Sequence, residues 1–100
     1  MRPLLGDPRQ RVERRLFDVN ARLERARSEL AVTTEQLAAL DEDVEEAHVR
    51  SLVSETPLAD QAWCDARRHA DAMRRALEAV RTKVAELERA QDDLITRLIP

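Results

Sequence analysis

The sequence holds three side chains of the types that bind soft metal ions, and these are His48, Cys64 and His69. A structural zinc site needs four converging nitrogen or sulfur ligands at short, characteristic spacings. Cys64 and His69 are five residues apart, which puts them on different sides of one helix, since each residue turns the helix by about 100°. His48 is separated from both by a segment that contains a proline. These spacings do not predict a metal site, and we expect no cofactor.

Cys64 is also the sole candidate for a reactive thiol. A catalytic or redox-active cysteine needs a neighbouring base or a helix N-terminus that favours the thiolate. Cys64 falls in the opening turns of a predicted helix, but no base is spaced to reach it. Because no acid, base and nucleophile converge, we expect no enzymatic activity. A single cysteine forms no internal disulfide, which favours a reducing, cytoplasmic location.

Residues 9–28, RQRVERRLFDVNARLERARS, are rich in arginine and could contact nucleic-acid phosphates. A basic-region zipper places an uninterrupted basic segment ahead of its apolar seam. Here the apolar positions run through the same residues, and Glu13, Asp18 and Glu24 dilute the positive charge. The sequence has no glycine-rich phosphate loop and no aromatic stacking platform. A nucleic-acid-associated accessory factor that uses these arginines is therefore the alternative function.

The composition is typical of a coiled coil or a long helix. Of the 100 residues, 43% are apolar, 2% are aromatic and 37% are charged, and Gly6 is the only glycine. Ala, Leu, Glu and Arg lose little side-chain freedom in a helix. The length suits one domain, and the net charge of -3 does not by itself indicate a polyanionic partner. No apolar run approaches the length of a membrane span, so we expect no membrane partner.

A first apolar stripe follows residues 12–47, with steps that alternate between four and three residues. This spacing predicts a coiled-coil helix whose a and d positions face a partner helix. The first seam comprises Val12, Leu16, Val19, Leu23, Ala26, Leu30, Thr33, Leu37, Leu40, Val44 and Ala47. Asp7 as the N-cap, Pro8 at the first helical position and Gln10 as a capping-box residue predict where this helix begins.

A second apolar stripe follows residues 59–98 with the same alternation of steps. The second seam comprises Ala59, Trp63, Ala66, Ala70, Met73, Leu77, Val80, Val84, Leu87, Gln91, Leu94 and Leu98. Thr56 can cap this helix, Pro57 suits its first position, and Asp60 places negative charge in its first turn. The two seams differ in phase across the junction, so one continuous helix would put them on different faces.

These signals predict an all-α fold, an antiparallel two-helix coiled-coil hairpin that could dimerise into a four-helix arrangement. The predicted segments are an N-terminal arm over residues 1–7, helix one over 8–53, a turn over 54–56 and helix two over 57–98. Charge supports the antiparallel sense, because the basic start of helix one would lie beside the acidic end of helix two. The acidic segment DEDVEE would lie beside arginines of helix two.

The two helices can be aligned in two registers, in which the numbers of facing residues add up to 110 or to 103. The 110 register sets Ala47 against Trp63 and places large residues opposite small ones near the turn. Three flanking pairs then combine opposite charges, namely Asp43–His69, Glu29–Lys83 and Asp41–Arg67, while Arg27 meets Arg81. The 103 register juxtaposes more like charges. We therefore predict the 110 register.

Several side chains are candidates for contacts with a partner, and one of them, Trp63, is also a second-seam residue that could instead pack over Ala47. Phe17 lies off the first seam and is expected to be exposed, and Trp63 is a residue type favoured at the centre of interfaces. Beside the second seam lie Ala62, Ala76, Ala90 and Ile95. A two-helix hairpin buries little surface for its length, so we expect a further partner, either another protein or a second copy of the chain.

In length and hairpin shape the chain resembles two families of small helical hairpins, but it departs from the motif of each. The secreted WXG100 proteins carry Trp-x-Gly at the turn, whereas Trp63 lies inside helix two and no glycine follows it. The antiparallel coiled-coil anti-sigma factors that bind a cyclic dinucleotide have a Glu/Ser/Arg/Gln/Asp signature. Glu24 and Ser28 begin that signature, but Ala31 and Glu35 stand where Arg and Gln belong. Neither family is assigned, and no small-molecule ligand is indicated.

The expected function is therefore non-catalytic. The sequence favours a coiled-coil protein that acts through protein–protein interaction, as an adaptor, a regulator or an assembly subunit.

Overall fold

The computed structural model describes residues 7–100 and contains two long helices, α1 (Pro8–Ser54) and α2 (Pro57–Leu98). The helices pack against each other and no strand occurs in the described part of the chain, so the predicted all-α helical hairpin is confirmed. The predicted N-terminal arm lies outside the described residues except for Asp7. Neither helix contains a stretch that is long and apolar enough to cross a membrane.

Both helices begin at a side-chain cap followed by proline. The Asp7 carboxylate accepts the backbone N–H of Gln10 at 3.0 Å, and the Thr56 hydroxyl accepts the backbone N–H of Ala59 at 3.2 Å. Each cap satisfies one of the four N–H groups that have no partner within the first helical turn. Proline follows at the one position where its missing N–H costs nothing.

Helix α1 ends at Ser54, one residue later than the sequence predicts, and Glu55 makes the turn. Glu55 has a φ of 51°, the left-handed conformation that commonly follows the end of a helix. Its N–H donates to the carbonyl of Ser51 at 3.1 Å, which extends the helical hydrogen bonding by one residue. Glycine is the usual residue here because a Cβ atom strains this conformation. The turn therefore imposes backbone strain on Glu55.

The two apolar stripes are the faces along which the helices pack. Every residue of the first and second seams is buried or half-buried, as the four-three spacing predicts. The first seam extends one step further, to the buried Ser51. Because side chains three and four positions apart share one helix face, the packed residues follow directly from the sequence period.

The chain forms two compact units. The turn unit comprises residues 30–79, and the terminal unit combines residues 7–29 with 80–100 within the described part of the chain. The buried residues of the turn unit are mostly small or polar, namely Thr33, Ala47, Ser51, Ala70 and Leu77. Those of the terminal unit are larger, namely Leu23, Ala26, Val80, Val84, Leu87 and Leu94.

Polar pairs between α1 and α2 define the alignment inside each unit. In the terminal unit, Lys83 Nζ donates to Glu29 at 3.1 Å, as the 110 register predicts. Gln91 donates to the side-chain oxygen of Asn20 at 2.8 Å. The residue numbers of these two pairs add up to 112 and 111. Both sums are close to 110 and far from 103, so the pairs agree with the 110 register.

Two predicted neighbours are wrong by one heptad. Asp41 accepts a hydrogen bond from Arg74 at 2.6 Å rather than from Arg67. Arg27 pairs with Glu88 at 3.1 Å instead of meeting Arg81. In both cases the true partner is seven residues further along α2, on the same side of that helix.

The direction of helical side chains explains this shift. The Cα–Cβ bonds tilt toward the N-terminus of each helix, and long side chains lean the same way. In antiparallel helices, two long side chains therefore meet when the residue on α2 lies further toward the C-terminus than the position directly opposite the residue on α1. Arg74 is five residues beyond the position opposite Asp41, whereas Arg67 lies before it and would have to reach backwards. The third predicted pair does not form, since no hydrogen bond or ion pair joins the exposed residues Asp43 and His69 in the described part of the chain.

Replacing Glu55 with glycine should stabilise the hairpin. Glycine adopts a positive φ without the steric cost of a Cβ atom, so Glu55→Gly is expected to raise the free energy of unfolding by about 1 kcal/mol. Thermal unfolding followed by circular dichroism should show an increase of about 4–8 °C for a chain of this size.

The matched control is Glu86→Gly, which makes the same chemical change at an exposed position inside α2. It should lower stability by about 1 kcal/mol, because glycine weakens a helix interior. If both variants lose stability, Glu55 does not hold a strained conformation in solution.

The partner of Asp41 can be tested by double-mutant cycles in urea. Combining Asp41→Asn with Arg74→Gln should give a coupling of about 0.3–1 kcal/mol, the range of exposed ion pairs. The same cycle with Arg67→Gln should give a coupling close to zero. A larger coupling to Arg67 than to Arg74 would contradict the one-heptad shift.

Candidate functional site

Trp63, the only tryptophan, is covered by two side chains and is half-buried. The ring of His48 stacks on the indole with centroids 4.1 Å apart and an interplanar angle of 12°. The guanidinium carbon of Arg67 lies 4.3 Å from the centroid of the indole ring. Stacking and cation–π attraction both favour these positions. Trp63 is thus engaged within the turn unit and is only partly available to a partner.

The contact between His48 and Trp63 was not predicted. Ala47 stands opposite Trp63 in the 110 register, and His48 is the next residue of α1. A small alanine leaves the broad indole room to extend over the adjacent position. The sequence feature that could have predicted this contact is the position of His48 directly after Ala47, the residue that faces Trp63.

A second link crosses the turn between Ser51 and Asp60. The Ser51 hydroxyl donates to the carboxylate of Asp60, and Ser51 is buried. Asp60 is the acidic residue in the first turn of α2, where the partial positive charge of the helix end favours a carboxylate. The link therefore joins the last turns of α1 to the first turn of α2 and holds the surface around the turn in place.

Four large aliphatic side chains are exposed beside this turn. Val49, Leu52, Val53 and Leu58, which we call the turn patch, are between 59% and 81% exposed. The first three are spaced three and four residues apart, so they share the side of α1 that faces away from the seam. Leu58 stands at the second position of α2. Exposed aliphatic side chains concentrated in one part of a soluble protein commonly mark an interaction site.

The turn patch is absent from the contacts predicted from the sequence. Its spacing was visible in HVRSLVSETPL, where aliphatic residues occupy positions outside the seam. These residues do not fit the four-three period of the seams, so that period gives no reason to expect a role for them. The aliphatic residues of the turn patch lie beside the turn and are exposed to solvent.

Carboxylates surround the turn patch. Glu45 and Glu46 line a shallow depression of about 440 Å³ together with Val49 and Arg50. Glu55 is exposed at the turn itself. None of these three glutamates forms an ion pair within the described residues. The turn unit as a whole has eleven carboxylates and five arginines. The patch is therefore an apolar centre whose rim carries Arg50 but is mainly acidic.

The predicted partner contacts differ in exposure. In the turn unit, Ala62 and Ala76 are exposed on α2, and the half-buried Trp63 is held by its neighbours. In the terminal unit, Ala90 is half-buried and Ile95 is exposed.

Phe17 is a predicted contact that lies well outside the turn. It is 74% exposed, as its position off the seam predicts. Phe17 lines a shallow depression of about 430 Å³ with Gln10, Glu13 and Arg14. Arg14, Phe17, Ala21 and Arg25 follow one another at steps of three, four and four residues, and we call this set the Phe17 face.

The residues with possible metal or thiol chemistry lie apart. The half-buried sulfur of Cys64 accepts a contact from Arg67 at 3.7 Å, and His48 stacks on Trp63. His69 is exposed on another side of α2. Within residues 7–100, no group of three or more His, Cys, Asp or Glu side chains is placed to hold a metal ion.

Comparison of the chain with protein-family models, with curated proteins and with solved structures finds no match.

Proposed function

We propose that this chain is a non-catalytic helical hairpin that acts by binding a protein through the turn patch. The observation that carries the proposal is the set of four exposed aliphatic side chains beside a well-supported turn. An adaptor, a regulator and an assembly subunit would all use such a surface. The cytoplasmic location expected from the single cysteine is part of this proposal.

Several contacts hold the turn in one conformation, and a rigid backbone favours binding. The Thr56 cap, the link from Ser51 to Asp60 and the stacking of His48 on Trp63 all lie within a few residues of the patch. These contacts fix the backbone beneath the aliphatic side chains, so little conformational entropy has to be lost on binding. Protein interfaces commonly combine an apolar centre with a polar rim, and the rim here is acidic. The expected partner surface is therefore apolar with basic residues around it.

The turn patch can be tested by quantitative capture of binding partners from cells of the source organism. The variant Val53→Asp/Leu58→Asp should lose the partners that the unaltered chain captures, because two carboxylates would enter the apolar centre of the interface. Both positions are exposed, so the change in folding stability should stay within about 0.5 kcal/mol. Circular dichroism checks that the helices remain.

The matched control is Val32→Asp, which alters another exposed aliphatic residue of α1 at a position outside the patch. This variant should capture the same partners as the unaltered chain. Equal capture by all three proteins would place the binding surface elsewhere and overturn the proposal.

A second candidate function, a nucleic-acid-associated accessory factor, is favoured by one observation. Arg11, Arg14, Arg15, Arg22 and Arg25 fall within one side of α1, since their spacings bring them back to the same third of the helix. Apart from Arg11, these arginines form no ion pair within the described residues. A shallow depression of about 350 Å³ is lined by Arg22 and Arg25 together with Lys83.

Titration with a labelled duplex at several salt concentrations tests this alternative. If these arginines contact phosphates, the affinity should fall steeply with salt, and Arg15→Glu/Arg22→Glu should both weaken binding and reduce the salt slope by roughly two. Arg75→Glu, an exposed reversal in the turn unit, should have little effect. Absence of binding at about 50 mM salt would eliminate the alternative.

A further inference from the structure

We infer that the turn patch of one chain docks on the Phe17 face of a second copy. The inference rests on the proposed function, because it uses the same patch, and it adds the identity of a partner. Its basis is that the chain itself carries an exposed surface whose charge and spacing complement those of the patch.

The two units carry charges of opposite sign. The turn unit has eleven carboxylates and five arginines, whereas the described terminal unit has nine carboxylates and eleven Lys or Arg residues. Contact between the turn unit of one copy and the terminal unit of another is therefore electrostatically attractive. Contact between two turn units is repulsive, because both are acidic. Charge alone favours the pairing of unlike surfaces.

The local arrangement of the two surfaces agrees with this pairing. The Phe17 face has the apolar residues Phe17 and Ala21 between Arg14 and Arg25. The patch has Val49 and Val53 between Glu45 and Glu55. Both surfaces have an apolar centre with a charge at each end, and the charges are opposite.

The spacing of the two surfaces also matches. Eleven residues separate the two arginines, or about 16 Å along α1, while Glu45 lies nine residues, or about 14 Å, before the end of α1 at Ser54, and Glu55 follows in the turn. When the segments run antiparallel, Arg14 meets Glu55, Phe17 meets Val53, Ala21 meets Val49 and Arg25 meets Glu45. Both arginines and both glutamates lack ion-pair partners among residues 7–100, so the contact breaks no existing pair.

The bulk of the facing side chains is complementary. Phe17 is 74% exposed and Val53 is 78% exposed, so both have apolar surface to bury. Ala21 is half-buried and small, which leaves room for the larger Val49. Each copy carries both surfaces, so any copy can offer its turn patch to the Phe17 face of another copy.

Sedimentation velocity of the full chain across a range of micromolar concentrations tests the inference by charge exchange. The face variant, Arg14→Glu/Arg25→Glu, and the patch variant, Glu45→Arg/Glu55→Arg, each place like charges across the contact. Each variant alone should dissociate at least about tenfold more readily than the unaltered chain. An equimolar mixture should associate again, because every contact in the mixed pair then joins opposite charges.

Two further variants sharpen the test. Arg75→Glu and Glu86→Arg reverse exposed charges outside both surfaces and should associate like the unaltered chain. Glu24→Gln should strengthen association, since Glu24 lies between Ala21 and Arg25 and would face the acidic rim of the patch. Higher salt should weaken association of the unaltered chain.

Two results would overturn the inference. One is a monomer at all concentrations, and the other is an equimolar mixture of the two charge variants that stays dissociated while the unaltered chain associates. Neither result affects the capture of a different protein that depends on Val53 and Leu58. Failure of this inference is thus distinguishable from failure of the proposed function.

Discussion

The packing of the two apolar seams is the constraint on which the rest of the structure depends. With 37% of its residues charged and almost no aromatic residues, the chain can bury apolar surface only along these stripes. Helical propensity alone would leave two long helices without a reason to meet, because most helical stability in proteins comes from packing an apolar face. Every seam residue is at least half-buried, and the ion pairs lie at its edges.

The turn has to reverse the chain without disturbing this packing. It does so in two residues between Ser54 and Pro57, using a strained Glu55 rather than a glycine. The contacts of Ser51 with Asp60 and of His48 with Trp63 then join the helices directly beside the reversal. Polar and aromatic contacts thus replace the large aliphatic layers near the turn, where the buried seam residues are Ala47, Ser51 and Ala70.

Because the seams use one side of each helix, the outer sides remain available for other contacts. The turn patch, which combines three residues of α1 with Leu58 of α2, and the Phe17 face of α1 both lie outside the seams, and their exposed apolar residues contribute nothing to the packing between the helices. Burying them would stabilise a complex by roughly 25 cal/mol for each Å² of apolar surface removed from water, before the costs of association. The seam and the outer surface are therefore distinct, so substitutions at exposed positions on the outer side of α1 should have little effect on folding.

The sequence by itself determined the helices, their caps, the seams and the side of each helix that is packed. These features follow from local geometry, since the helical period and the capping residues act over only a few positions. It also identified Glu29–Lys83, a pair close to the directly opposite position. Only the tertiary structure decided that Asp41 pairs with Arg74 and that Arg27 pairs with Glu88, because the reach and lean of two long side chains add together across the interface. The stacking of His48 on Trp63 and the exposure of the turn patch were decided in the same way, since they depend on which surfaces the second helix covers and which it leaves in water.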